Sequence, residues 1–377
     1  KGGALFFQDG TPEGDEETYL KNCQFFDCYA TGDTQEGYAI YCQSYQIHFL
    51  GCRFEDHKRA SKVDTGCIVY VETNEEGVKP ILSNLIFKRN TGVSCLVVRS
   101  KEVSEINNLV FDDIQNDSPC LNFDQWKSEG NVLIKNARFT NIEDARCISI
   151  KTPLTFTVYL DFCEFTNTLI KKSGRVPGSQ VDEDSGRGGS ILIKNQERDR
   201  LYIQHCEFTR NTAEADGGAI YAESSAIILE NNIFTECSAS PSTDEEGRGG
   251  ALYIKQTGKS YEELRNNTFI NCSAGHSGGG IFAFCLDKTQ SSIRESDERA
   301  YAIIIENSNF TNCKSVIEGG AISSGLKENG KIQGDNDMEV LESYFTRCES
   351  GKGGALFFQD GTPEGDEETV IENSIFY

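Results

Sequence analysis

Short apolar runs such as ALYIK at Ala251–Lys255 and AIILE at Ala226–Glu230 alternate apolar and polar positions, which is the period of a strand with one buried face. They are rich in Ile, Val, Phe and Tyr, and turn residues separate them, so the chain reads as strands throughout with no helical spacing. The runs also recur. The stretch GGAIYAESSAIILENNIFTECSA, Gly217–Ala239, is the repeating unit, and a search for such a period comes before any other reading of a chain like this.

Twelve endings resembling Asn-Xaa-Xaa-Phe appear, at Phe25, Phe54, Phe87, Phe111, Phe139, Phe165, Phe208, Phe234, Phe269, Phe310, Phe345 and Phe376, spaced by 24 to 43 residues. Eight of the twelve carry Asn three residues earlier, at Asn22, Asn84, Asn108, Asn136, Asn231, Asn266, Asn307 and Asn373. A second fixed point follows the Gly-Gly pair, where only small residues stand: Ala4, Ala39, Cys67, Cys95, Cys120, Cys147, Ser190, Ala219, Ala251, Gly280, Ala321 and Ala355. Each is followed by Ile or Leu.

A coil with two fixed corners and two or three short strands is the turn of an all-β, single-stranded, right-handed parallel β-helix. Each strand pairs with its counterpart one coil on, so the main chain is satisfied between coils and like side chains stack. The Phe column, with Phe208, Phe234, Phe269 and Phe310 at its most regular, fills the interior. The Asn column supplies the left-handed backbone of a sharp corner, and the paired glycines supply another. The spacing predicts one continuous β-helix over residues 1–377, with long surface loops near 170–187, 238–248, 286–299 and 325–337. Loops that recur on one arc of such a fold often mark a binding face.

The sequence KGGALFFQDGTPEGDEET occupies Lys1–Thr18 and again Lys352–Thr369, so about eleven coils form a period of 351 residues. This predicts a segment of a longer array, or self-association by head-to-tail stacking of coils, since open strand edges invite pairing.

The tetrapeptides GGAI at 217–220 and 319–322, GGAL at 2–5, 249–252 and 353–356, FKRN at 87–90 and FTRN at 208–211 resemble the repeats of polymorphic membrane proteins and related adhesin-like β-helix proteins. The resemblance implies an extracellular or cell-surface, adhesive, non-enzymatic chain. Here Cys often stands where the family has the Asn of FxxN.

Composition narrows the partners. Lys and Arg number 36 against 59 Asp and Glu, and a net charge of −23 repels nucleic acid and anionic lipid. No apolar run is long enough for a membrane-spanning helix. Thirteen of the fifteen cysteines fall in stacked slots: Cys67, Cys95, Cys120 and Cys147 in the small slot, Cys28, Cys237, Cys272, Cys313 and Cys348 three residues after Phe, and Cys23, Cys52, Cys163 and Cys206 two before it. Parallel Cβ vectors suit a disulfide poorly, so buried thiols are expected.

Candidate chemistry is sparse. Glu164 and Glu207, each one residue before a Phe, with Arg138 nearby, are the carboxylates a polysaccharide lyase or hydrolase of this fold would call for, but outward charges are expected there anyway. His48, His57, His205 and His276 share no metal-ligand spacing and read as solvated or corner residues. The acidic runs Val181–Asp184 and Asp335–Glu339 could collect calcium weakly, and no dedicated cofactor is expected. Four sequons, at Asn116, Asn266, Asn271 and Asn309, are candidate glycosylation sites, with Asn266 expected to be buried in the corner column.

The expectation from sequence is therefore a non-enzymatic structural rod or filament segment of an extracellular or cell-surface fibre or adhesin, its partners being itself and glycans or host surfaces. The alternative is a carbohydrate-active β-helix protein, either an enzyme or a glycan-binding module.

Overall fold

A computed structural model describes residues 3–8, 18–28, 37–43, 47–58, 66–73, 80–100, 105–116, 118–122, 131–152, 157–171, 184–195, 200–224, 227–240, 246–256, 262–285, 303–328, 331–333, 338–359 and 369–377. The chain divides into two compact units, Lys1–Leu169 and Ile170–Tyr377. Each unit is a parallel β-helix built on three sheets.

One turn of the second unit shows the plan. Strands Leu252–Gln256, Glu262–Arg265 and Thr268–Ile270 belong to sheets 1, 2 and 3, and the short strand Ser273–Ala274 closes the turn. Each pairs in parallel and in register with the same strand of the next turn, as in Leu252↔Ile281, Leu264↔Ile305 and Phe269↔Phe310. The first unit repeats this, with Phe111↔Phe139 in sheet 3 and Ile134↔Leu160 in sheet 2.

The interior follows from that register. In the first unit Phe25, Phe54, Phe87, Phe111, Phe139 and Phe165 form one stack with ring centroids 4.7–5.1 Å apart. In the second, Phe208, Phe234, Phe269, Phe310, Phe345 and Phe376 stack at 4.7–5.0 Å. A ring centred directly above another at this distance keeps the column free of voids. A Cβ built on Gly280 would lie 3.1 Å from Phe310 Cδ1, so the small slot is small because it abuts the Phe column.

Besides the Gly-Gly turn, two corners per turn use left-handed backbone. The Asn column sits at φ 53–56° for Asn22, Asn84, Asn108, Asn136, Asn231 and Asn266, at 46° for Asn307 and at 50° for Asn373. The residue two after Phe forms the other corner, as at Asn271 (φ 54°) and Asn312 (φ 53°). The corner amides bond to one another: Asn307 Nδ2 donates to Asn266 Oδ1 at 2.7 Å, Asn312 Nδ2 to Asn271 Oδ1 at 3.2 Å, and Asn108 Nδ2 to Asn84 Oδ1. They do this in the open, so Asn266 is exposed and not buried as expected.

The Gly-Gly turn has a stricter cause. Gly217 has φ 71°, and a Cβ on Gly218 would lie 2.0 Å from the Gly250 carbonyl oxygen and 2.5 Å from that of Ser238. No side chain fits between two main chains that close.

A buried polar column two residues before Phe was not anticipated. Asn267 Oδ1 accepts the Asn232 backbone N–H at 3.0 Å, and Asn267 Nδ2 donates to the Leu229 carbonyl at 2.9 Å. Asn232 repeats this one turn earlier with Cys206 N and Ile203 O. Ser308 and Ser343 continue the column in later turns.

Cys67 departs from the small slot. Val69 pairs with both Ile40 and Leu96, so Ile68 takes the place level with Ala39 and Cys95, and Cys67 packs against Tyr41 and Tyr70. Counting from the following Ile misreads the coil by one residue. Part of the fourth expected loop is folded: Leu326–Glu328 and Lys331–Gln333 form an antiparallel hairpin. Residues 172–183, 241–245, 286–299 and 334–337 of the expected loops lie outside the described residues.

A candidate site on the outer face of the second unit

The residue immediately before Gly-Gly is Arg187, Asp216 and Arg248 in three successive turns. Gly188 N donates to Asp216 O and Gly217 N to Arg248 O, so the three residues stand level. Asp216 is fully buried, and its Oδ1 accepts from Gly247 N at 3.1 Å, Arg248 N at 3.0 Å and Arg248 Nε at 3.2 Å. Arg187 Nε lies 3.9 Å from Asp216 Oδ2. A carboxylate with no solvent contact needs such a shell, and the flanking guanidiniums supply it.

Sheet 1 carries the next columns. Leu192, Tyr221, Tyr253 and Phe282 form a buried cluster with Phe284. Tyr221 and Tyr253 stack at 4.7 Å. Arg187 lies over Tyr221 at 5.0 Å, and Arg248 over Tyr253 at 5.6 Å and Phe282 at 5.5 Å, in cation–π geometry. Tyr221 donates its hydroxyl proton to Glu223 Oε1 at 2.6 Å, which puts both side chains on the same outer face. Lys194, Glu223 and Lys255 are paired in register across three turns. Lys255 Nζ is 3.4 Å and Lys194 Nζ 3.9 Å from the Glu223 carboxylate, and Lys194 also pairs with Asp184.

Electrostatics fix the protonation of the row. Burial opposes ionisation of Glu223, but the Tyr221 hydroxyl and the two lysines outweigh it and hold the carboxyl below its usual range. Burial also works against the charge of Arg187 and Arg248, yet the neighbouring tyrosines and Asp216 raise both above the ordinary arginine value. Burial and Tyr253 push the Tyr221 phenol up, so it stays a donor. Four cations thus meet three carboxylates (Asp184, Asp216, Glu223) on a chain whose net charge is −23. Between 22% and 28% of the Arg187, Lys194, Glu223 and Lys255 side chains remains open to solvent.

Apart from Asp184, which fell in an acidic run offered for calcium, none of these residues was a candidate from sequence, although the signal was present in GRGG at 186–189 and 247–250, DGG at 216–218 and the Tyr221-Ala222-Glu223 spacing. Of those that were, Glu164 is held by Arg138 in a two-pronged pair at 2.7 and 3.1 Å in the first unit, and Glu207 is an exposed strand residue of the second. His48 and His57 are buried, not solvated, because both fall on inward or covered slots. His57 Nδ1 lies 3.2 Å from Asn90 Oδ1, and burial pushes its pKa down. His205 is an exposed corner residue at φ 53°.

Among the described residues no group of three or more His, Cys, Asp or Glu side chains forms a metal-ligand set. Of the two acidic runs proposed for calcium, only Asp184, Met338 and Glu339 are described. The sequons Asn271 and Asn309 are exposed, whereas Asn116 is 3% exposed and donates to the Val93 carbonyl, which withdraws it from any modifying enzyme in the folded chain.

A family described as a right-handed β-helix region matches residues 125–296, in keeping with the three parallel sheets, and the fold is a right-handed parallel β-helix. No curated protein matches in sequence. Among solved structures, the catalytic domain of a GH87 α-1,3-glucanase in complex with nigerose is similar at 8% identity and a TM-score of 0.41, over 95% of this chain and 64% of that one. Two variants of the same domain with nigerose give 9% and 8% identity at the same TM-score and coverage. The chain therefore spans less than two thirds of these domains. All three structures are catalytic domains, a finding that runs against the expectation of a non-enzymatic chain.

Proposed function

We propose that the protein is carbohydrate-active and holds a glycan chain across the outer face of its second unit. The observation that supports this is the Lys194–Glu223–Lys255 row, in register on a rigid sheet and backed by the Arg187–Asp216–Arg248 column. Donors and acceptors alternate along the row at the coil spacing. Lys194 and Lys255 stand two steps apart, about 9.6 Å, which is the scale of a disaccharide. The interior side chains and the salt-bridged backing column leave the row little freedom, so binding costs little reorganisation. An extracellular or cell-surface address belongs to the same proposal, supported by the GGA and FxxN tetrapeptides that resemble those of surface-exposed β-helix proteins.

The test is retention in affinity gels cast with soluble α-glucan, β-glucan or polyuronate, with assay of released reducing ends. Retention by at least one polysaccharide is expected, weakened at least tenfold in Glu223→Gln and in the Lys194→Ala, Lys255→Ala double variant. Released ends would mark catalysis at or beside the row. Absence of retention on every polysaccharide, or retention unchanged by these substitutions, overturns the proposal.

A further inference from the structure

The arrangement around Tyr221 and Glu223 is built a second time, from other residues, in the first unit. On sheet 1 there, Tyr41 and Tyr70 are buried and stack at 4.9 Å with 1° between ring planes, as Tyr221 and Tyr253 stack at 4.7 Å. Tyr70 donates its hydroxyl proton to Glu72 Oε2 at 3.1 Å, two residues further along the strand, as Tyr221 does to Glu223. Tyr41 does the same to Gln43 Oε1 at 3.0 Å. The Arg99 guanidinium lies over the Tyr70 ring at 5.1 Å, where Arg187 lies over Tyr221 at 5.0 Å.

The two guanidiniums reach their rings from different places. Arg187 comes from the residue before Gly-Gly, whereas Arg99 comes from the strand of the following turn, where it pairs in register with Glu72 as Glu72 does with Gln43. A unit copied from turn to turn would put its cation in the same slot each time. The same cation–tyrosine–carboxylate set reached by two routes is therefore not a by-product of the repeat. Arg99 Nη1 also donates to the Tyr70 hydroxyl at 2.6 Å, which directs the proton of that hydroxyl to Glu72.

We infer that the row Gln43–Glu72–Arg99 is a second glycan-binding site, carried by the first unit and suited to uncharged sugar residues. The inference rests on the reading of Lys194–Glu223–Lys255 as a glycan-holding row. Carboxamide, carboxylate and guanidinium stand on three successive turns at a spacing of about 4.8 Å, and between them they accept from and donate to neighbouring sugar hydroxyls. All three side chains are half-buried, and the stacked tyrosines hold the first two from beneath, so few rotamers are left to order on binding. One carboxylate against one guanidinium leaves this row without net charge, while two lysines against Glu223 give the other an excess of one cation. The first row thus suits a neutral chain, and the second accommodates an acidic group as well.

Affinity gels cast with soluble α-glucan, β-glucan or polyuronate test this, with Glu72→Gln and Arg99→Gln run beside Glu223→Gln. On at least one glucan gel the full chain should be retained, and Glu72→Gln and Arg99→Gln should each weaken retention about tenfold, the loss of one hydrogen bond to a charged group. Combining either with Glu223→Gln should weaken it further. Glu72→Gln keeps an acceptor for the Tyr70 hydroxyl, so its urea midpoint should match that of the wild type. Retention on a glucan that Glu223→Gln weakens but Glu72→Gln and Arg99→Gln leave unchanged overturns this inference and keeps the reading of the second unit, as does retention on polyuronate alone. Retention on none of the gels overturns both.

Discussion

Cys272 Sγ donates to the carbonyl of Phe234, one turn back, at 3.5 Å. Asn90 Nδ2 does the same to the Phe54 carbonyl at 3.1 Å. In these turns Cys and Asn share the slot three residues after Phe and each offers one inward donor to the same acceptor; Cys237 and Cys313 repeat the bond to Phe208 and Phe269. Cys272→Ala leaves that buried carbonyl without its side-chain donor and should lose about 1–3 kcal/mol. Cys272→Asn should lose less, since Asn90 shows the slot accommodates the amide and its Oδ1 accepts a main-chain N–H from the turn before. Urea unfolding of both variants checks the order.

The thiols of this column should also be inert. Burial raises the Cys272 pKa well above that of a free thiol, and the Cys272 and Cys313 thiols raise those of Cys313 and Cys348 in turn. The thiolate is the reactive form, so a thiol reagent at neutral pH should modify Cys272 and Cys313 only on unfolding. Mass spectrometry before and after denaturant gives the answer, and rapid labelling of folded Cys272 would contradict it.

Phe234 lies between Phe208 and Phe269 at 4.7 and 4.8 Å and has no exposed surface. Phe234→Ala should destabilise the second unit by about 3–5 kcal/mol, and Phe234→Leu by less, as lost packing and the remaining cavity dictate. Exposed Ile233, one residue earlier, should tolerate Thr with a change within about 0.5 kcal/mol. Denaturation midpoints compare the three.

Glu262 is fully buried, and its Oε2 accepts the Ile227 N–H; burial raises its pKa well above the ordinary 4.5, the hydrogen bond offsetting only part. A carboxyl with a raised folded-state value favours folding most below pH 4.5 and loses that contribution as pH rises through the higher folded value. Wild type should therefore lose stability relative to Glu262→Gln as pH climbs from about 4 to 9. Parallel pH dependences for the two would refute the assignment.

In a host that modifies Asn-Xaa-Ser/Thr, exposed Asn271 and Asn309 should carry glycan and Asn116 none. Single Gln substitutions at the first two should each remove one glycan mass, and Asn116→Gln should remove nothing.

What the sequence made legible was whatever repeats with each turn. The Phe column, the αL Asn corner and the small slot could be aligned by eye because every turn demands the same shape there. The candidate site was not legible, since Arg187, Asp216 and Arg248 matter through differing in the same place, and an alignment that seeks likeness discards such contrast. Cys67 was misplaced for a related reason: Cys followed by Ile imitates the small slot, and only the pairing of Val69 with Ile40 and Leu96 shows the extra residue. The buried Asn232 and Asn267 stood beside exposed Asn231 and Asn266, and adjacent residues of one type do not announce which of them faces inward.

The in-register pairing within each unit also governs how damage spreads. A turn such as Leu252–Ala274 takes its main-chain partners from the turn before and the turn after, so a fault there is felt by two neighbours and then fades. Inheritance of shape from one layer to the next lets a growing edge copy itself, and lets loops lengthen or diverge between layers without erasing the template beneath.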